Sequence, residues 1–307
     1  MNYIGIDEAG LGPVLGVFCV GMTKFEAPEH FDFNLILGQL LNKDKSSTDK
    51  IVVDDSKKIF SKAKGIEILE RTVLSVIASA FGCVPKNVGQ LLNLLGADCS
   101  YKNIAWYSNL ANKALPIKAS LATCNQNGLY IKQQCQNLNV KILDLSLGFY
   151  TAYDFNKSLD KTSNKALTCQ SILNQLMSKL DCNINARLVV DQQGGRRYYS
   201  QWLQEVFLNE VVTLSEGSGV ASKYTCKNML IEFHCKADQQ FFEVALASLI
   251  AKYCREIFML EFNNYWQNQV PSIKPTAGYP QDGKRFLQDL EDAKVLPNNI
   301  DMLRRKK

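Results

Sequence analysis

Histidine is nearly absent, with two residues in a chain of 307. The ten cysteines (Cys19, Cys83, Cys99, Cys124, Cys135, Cys169, Cys182, Cys226, Cys235 and Cys254) contain no C-x-x-C pair. Neither a structural zinc site nor a disulfide framework therefore finds its usual donor spacing. No apolar run reaches the length of a membrane span, and a first strand opening at Tyr3 leaves no room ahead of it for a signal peptide. The expectation is a protein of a reducing cytoplasm with no membrane association. A dominant charge is also missing: 35 Lys and Arg against 30 Asp and Glu is a mild basic excess, compatible with a polyanionic partner but identifying none. What is abundant is apolar material, 46% of residues, enough for one large domain or two moderate ones.

Residues 3–16, YIGIDEAGLGPVLG, carry the most information. A short β-like run delivers two adjacent carboxylates, Asp7 and Glu8, into a glycine-rich loop. Charges at the end of a buried strand need a cation or water to offset their desolvation, so the pair invites a metal ion. The apolar run Val14–Met22 reads as a hairpin partner or continuation of that strand. Farther on, Asp55 and Ser56 could cap a helix whose first turn holds Lys57 and Lys58, where the helix dipole disfavours cations. That placement suggests a nearby anion, with a solvated turn as the alternative.

Beyond this point the pattern alternates. Ile66–Phe81 has amphipathic helical spacing, and Leu91 to about Leu121 reads as more helical material containing Trp106 and Tyr107. Residues 121–140, rich in Asn, Gln and Cys, read as an elaboration on a core. Lys141–Leu147 is strand-like, Asn164–Leu180 helical, and Arg187–Asp191 a second strand ending on an acid. After the strand-like Leu230–Phe233, a long helix is predicted over Phe241–Phe262, with Asp238 just before it as an N-cap. The tail, Arg304 to Lys307, reads as a frayed basic end. Alternating strands and helices define an α/β class with a mixed sheet.

Three element ends thus offer acids: Asp7 with Glu8, Asp191, and Asp238. Each has a structural explanation by itself, Asp238 as a cap and Asp191 as the start of the turn into QQGG. Together they could form the all-oxygen environment that Mg²⁺ or Mn²⁺ requires. Without a cation they would repel one another and raise their own pKa values. Two ions would neutralise them and support an in-line phosphoryl displacement.

DEAGLGP, DSKK, the strand ending at Asp191, KAD at Lys236–Asp238, ALASLIAKYCRE at Ala245–Glu256 and GYP at Gly278–Pro280 occur in an order that resembles the type 2 ribonucleases H, ribonuclease HII in bacteria. The resemblance spans most of the chain. It implies a ribonuclease H-like mixed sheet flanked by helices, with a helical C-terminal extension and an inserted segment. On it, a single catalytic domain covers residues 1–300, with an insertion atypical of the family at about 86–140, and residues 301–307 are a basic tail. It further implies two-metal hydrolysis, with Mg²⁺ or Mn²⁺, of the RNA strand in RNA–DNA hybrids or of a ribonucleotide embedded in duplex DNA. The four metal-binding carboxylates fall on Asp7, Glu8, Asp191 and Asp238. The family's glycine–arginine–glycine loop and stacking tyrosine fall on Gly10, Leu11, Gly12 and Tyr279, so Leu11 stands where a guanidinium would meet phosphate. Ser56 and Lys57 occupy the phosphate-binding DSKK position, and Arg196 and Arg197 are candidates to replace the lost contact. Trp106 and Tyr107 could stack on bases, but burial tendencies favour core.

Other classes remain open. GLGPVLG places its last glycine one residue late for a dinucleotide fingerprint, and Asp7 and Glu8 would repel a pyrophosphate. An actin-like or sugar-kinase ATPase is closer, since that superfamily also opens with a strand, an aspartate and a glycine-rich turn. It wants a glycine two residues after the aspartate and a hydroxyl soon after, whereas this chain has Gly10 and Leu11. A nuclease for branched DNA, or a nucleic-acid-binding module without catalysis, are the stronger alternatives.

Overall fold

A computed structural model describes residues 1–33, 65–193, 196–208, 210–217 and 221–306. Seven strands form one mixed sheet: β1 (Asn2–Ala9), β2 (Phe18–Glu26), β3 (Lys141–Tyr150), β4 (Ala186–Asp191), β5 (Val211–Ser215), β6 (Ala221–Cys226) and β7 (Met229–His234), in the spatial order β3-β2-β1-β4-β7-β6-β5. β1, β4 and β7 run parallel, and both flanks continue antiparallel. The three parallel strands therefore end together, and their last residues are Ala9, Asp191 and His234.

Helices cover both faces of the sheet, as nearly continuous apolar parallel strands require. On one face lie α1 (Glu67–Phe81), α2 (Val88–Leu94), α3 (Leu121–Asn137) and the long α7 (Phe242–Gln269), packed with Tyr3, Cys19 and Phe25. On the other, α4 (Ala152–Thr162), α5 (Lys165–Met177) and α6 (Ser200–Val206) bury Phe155, Ile172, Leu173 and Trp202 against Ile4, Ile6, Phe18 and Val20. The alternation along β1 and β2 assigns each side chain to a face, because successive strand residues point to opposite sides. A further helix, α8 (Pro280–Asp292), completes the helical C-terminal part. This is the α/β class expected, a mixed sheet flanked by helices.

α7 lies on the sheet with almost no separation. A Cβ built on Gly5 would come within 2.2 Å of the Glu243 carbonyl carbon, and one on Gly21 within 2.2 Å of the Ala247 oxygen. Thr23 Oγ1 donates to the Glu243 carbonyl at 2.8 Å, fixing the helix along its axis. We expect Gly21→Ala to destabilise the protein by about 3 kcal/mol through overpacking against backbone. Gly12→Ala, whose nearest neighbour would be a Tyr279 ring atom at 3.8 Å, should change stability by less than about 0.5 kcal/mol. Denaturant midpoints of the two variants check the contrast.

Several sequence expectations are corrected. β2 begins at Phe18 rather than Val14, because residues 10–16 form a loop in which Gly10 and Gly16 take φ of 90° and 81°. The stretch from Leu91 is one short helix followed by three 3-10 turns, and the helix at 121–137 begins on a Ser120 cap. Trp106 and Tyr107 sit on a 3-10 turn rather than an α-helix, but they are buried against Phe262 and Phe258 in the core, as burial tendencies favour. Asp238 does not cap α7: it lies inside a 3-10 turn, Ala237–Gln239, and the cap position is Phe241. The basic end is not frayed up to Lys306. Arg304 bridges to Leu15, the Arg305 amide donates to the Val14 carbonyl at 2.8 Å, and the Arg305 side chain is 2% exposed.

The 86–140 segment shares the main core through Val88, Leu91, Tyr101 and Leu110. Glu70 of α1, fully buried, pins it by accepting from the amides of Ile117, Lys118 and Ala119 and from the Tyr253 hydroxyl of α7.

Candidate carboxylate site

Asp7 and Glu8 arrive on β1 with side chains on opposite faces of the sheet. Asp7 shares its face with Gly5 and hence with α7, whose Ser248 hydrogen-bonds it. Glu8 points the other way and accepts from Gln193 Nε2 at 2.7 Å. The Glu8 amide donates to Asp7 Oδ1 at 2.7 Å. Asp191 is the residue after Val190, which pairs with Ile6, so Asp191 ends β4 beside Asp7 of β1. By strand alternation it shares the face of Val189, which packs with Ala237 and with Val244 of α7. The parallel register thus places Asp7 and Asp191 side by side, whereas their separation in sequence is 184 residues.

The electrostatics agree with that proximity. Asp7, 8% exposed, has its carboxyl pushed well above the ordinary range, first by burial and then by the Asp191 charge, against the Ser248 and Glu8 hydrogen bonds. Glu8 is pushed up to about 7 by burial, with the Gln193 bond opposing and Asp191 adding. No cationic side chain appears among the causes of either shift. The contrast with Glu232, one strand away, is instructive. Burial would raise that carboxyl too, but His234, Lys223 and Arg187 hold it well below the usual range, with Arg187 Nε at 2.6 Å and Lys223 Nζ at 2.8 Å. Among the described residues, the protein neutralises its structural carboxylate and gives Asp7 and Glu8 no basic partner of that kind.

Asp238 follows β7 by a turn in which Lys236 takes φ of 55° and the Ala237 amide donates to Asp191 Oδ1 at 2.7 Å. The turn is therefore tied to the carboxylate end of β4. Among the described residues, no group of three or more His, Cys, Asp or Glu side chains converges as a ready metal site. The donor chemistry, all carboxylate with Asp7 buried, is of the type a hard divalent cation takes; among the described residues three donors are not gathered at ligand distance.

The glycine loop and Tyr279 come together. The amides of Val14 and Leu15 donate to the Gly278 carbonyl at 2.7 and 3.2 Å, and Gly12 faces the Tyr279 ring, which is 52% exposed. Gly10 abuts the Arg255 side chain, and Leu11 rests partly buried against the core of the α5 face. Arg196 is turned back on its own loop, with Nε donating to the Tyr198 carbonyl at 2.9 Å and its guanidinium 5.7 Å from the Tyr199 ring. Arg197 is exposed. Ser56 and Lys57 lie outside the described residues.

Sequence reasoning missed Gln193, Ser248, Arg255 and Arg305. Gln193 follows Asp191 by two positions and could have been suspected. Ser248 carries no signal of its own within the long helix, and Arg305 reads as part of the basic tail.

No protein-family model matches the chain, and no curated protein does. Among solved structures, the ribonuclease HII of Archaeoglobus fulgidus, in a complex with PCNA, aligns at 16% identity over 100% of this chain and 98% of that one, with a TM-score of 0.48. Ribonuclease H2 of Pyrococcus horikoshii aligns at 13% identity over 99% and 92%, with a TM-score of 0.42. A Bst ribonuclease HIII mutant aligns at 14% identity over 99% and 66%, with a TM-score of 0.41. At such identities and scores, only the residues of this chain speak to its chemistry. No described helix is long and apolar enough to cross a membrane.

Proposed function

We propose that the chain is a metal-dependent endonuclease of the type 2 ribonuclease H kind, cutting the RNA strand of an RNA–DNA hybrid or at a ribonucleotide within duplex DNA. The observation that carries this is the Asp7–Asp191 juxtaposition with Glu8: acids on adjacent parallel strand ends, raised by burial and by one another. Six ordered motifs in the sequence support the substrate class.

Asp7, Glu8, Asp191 and Asp238 would hold the ions. When bound, two divalent ions supply an activated water and stabilise the leaving oxygen of an in-line displacement. The chain's own contribution is placement. α7, seated on Gly5 and Gly21, fixes Ser248 against Asp7, and Gln193 fixes Glu8. The Gly10–Gly12 loop would present backbone groups to a 2′-hydroxyl, the group that separates RNA from DNA. Tyr279, exposed beside Gly12, would stack on the neighbouring sugar.

One assay tests the proposal. A duplex with a single embedded ribonucleotide, a continuous hybrid, an all-DNA duplex and a branched all-DNA substrate are each incubated with Mg²⁺ and with Mn²⁺. Cutting confined to the first two is the expected result. Cutting of branched DNA alone would replace the substrate, and tight binding without cutting under either ion would make the chain a binding module.

A further inference from the structure

The mechanism above leaves one basic cavity unexplained. It has a volume of about 300 Å³ and is lined by Leu11, Gly12, Pro13 and Val14 of the glycine loop, Phe155, Lys165, Pro280, Arg305 and Lys306. No acid lines it. It opens beside Gly12 and Pro280, hence beside the loop and the residue following Tyr279.

Its cations are differently disposed. Lys306 is neutralised at the rim, with Nζ 2.9 Å from Asp160 and 3.1 Å from Asp301. Lys165, the first residue of α5, is exposed and forms no ion pair among the described residues. Arg305 is buried with its guanidinium 5.3 Å from the Phe155 ring. Its Nη2 donates to the Gly10 carbonyl at 2.6 Å and to the Pro13 carbonyl, while Nε and Nη1 have no hydrogen-bond partner. Among the described residues no carboxylate pairs with Arg305, and the neighbouring Arg255, whose own acid is Glu256, repels it. A buried guanidinium with two unpartnered groups is costly unless something anionic completes it.

We propose that this cavity is a phosphate subsite that takes one backbone phosphate of the nucleic-acid substrate, with Lys165 as the contacting charge and Arg305 locking the glycine loop that forms its wall. The subsite rests on the nuclease proposal for its ligand's source. It supplies from α5 and the C-terminal segment the phosphate contact that Leu11 does not.

The test reads binding in EDTA, so it does not depend on cutting. The probe is a labelled duplex with one embedded ribonucleotide, scanned with single methylphosphonates that each remove one phosphate charge. Lys165→Ala should weaken binding about tenfold and lower the magnitude of the salt slope by about one. One methylphosphonate position should reproduce that loss and add nothing to Lys165→Ala. Lys165→Arg should restore affinity. Lys179→Ala, an exposed lysine beyond the other end of α5, should stay within about twofold, the range of a dispersed charge. Arg305→Lys, which keeps the charge but loses the fork to two carbonyls, should weaken binding at the same linkage. Unchanged affinity in Lys165→Ala, or equal losses in Lys165→Ala and Lys179→Ala with no linkage singled out, would overturn the subsite. So would inorganic phosphate protecting Lys165 from acylation while the duplex does not, since the site would then serve a free anion. Linkage-specific binding in a protein that cuts nothing would leave the subsite standing and remove the nuclease activity.

Discussion

Asp7→Asn is expected to abolish cutting, lowering the rate by roughly 10³-fold or more, while leaving the protein as stable as before or more so. The two halves of this expectation come from the same fact. Asp7 is buried beside Asp191 with no cation among its partners in the described residues, and its carboxyl is raised well above the ordinary range. A charge held there works against folding, so a neutral isostere relieves burial and repulsion together and should gain about 1–3 kcal/mol in metal-free buffer above neutral pH. The Glu8 amide keeps its acceptor, because the asparagine carbonyl can replace Asp7 Oδ1. Single-turnover cleavage and a denaturant titration, run on the same preparation, decide the matter. An Asp7→Asn protein that cuts at the native rate would remove Asp7 from the site, and one that unfolds would make it a structural acid.

The second large effect is a stability that falls as pH rises and that divalent ions restore. Glu8, with a folded value near 7 against an ordinary 4.5, stays protonated in the native state over a window in which the unfolded chain has already lost its proton. The native state then holds more protons, so stability declines from about pH 4.5 to about pH 7. At 1.36 kcal/mol per unit the loss is about 3 kcal/mol. Asp7, raised by burial and by the Asp191 charge, shifts in the same direction and adds to the decline. An ion that binds the ionised carboxylates reverses the loss, by about 2.7 kcal/mol at a hundredfold excess over its dissociation constant. Melting curves at pH 5 and pH 8, in EDTA and in Mn²⁺, should show the ion acting at pH 8 and hardly at pH 5. Stability that rises from pH 5 to pH 8 in EDTA would contradict the carboxylate geometry. Equal Mn²⁺ stabilisation of native and Asp7→Asn protein would place the ion elsewhere.

Features carried by local pattern were legible in the sequence. β1 and β4 show as short apolar runs ending on acids, and the start of α7 falls one residue from its expected position because its period is sustained. The hairpin of β5 and β6 was not seen, because β5 buries only Val211 of its five residues and so lacks a strand's alternation. Asp238 was offered as a cap because a helix follows it. The left-handed Lys236 and the 3-10 turn that separate it from α7 leave no mark in hydrophobic spacing. The pairing of Asp7 with Asp191 could be suspected from chemistry, but its placement comes from the β1–β4 register. Ser248 and Arg305 gain their roles from contacts between distant segments, which composition and periodicity do not encode.

The lock on the glycine loop also has a consequence for the order of assembly. The hydrogen bond from Arg305 to the Gly10 carbonyl joins residues 295 positions apart. Contacts of that separation pay the full cost of loop closure and form late. On a ribosome β1 emerges well before Arg305, so its loop cannot be locked until Arg305 has been added and has cleared the exit tunnel. A nascent chain therefore carries Asp7 and Glu8 long before it carries a finished loop.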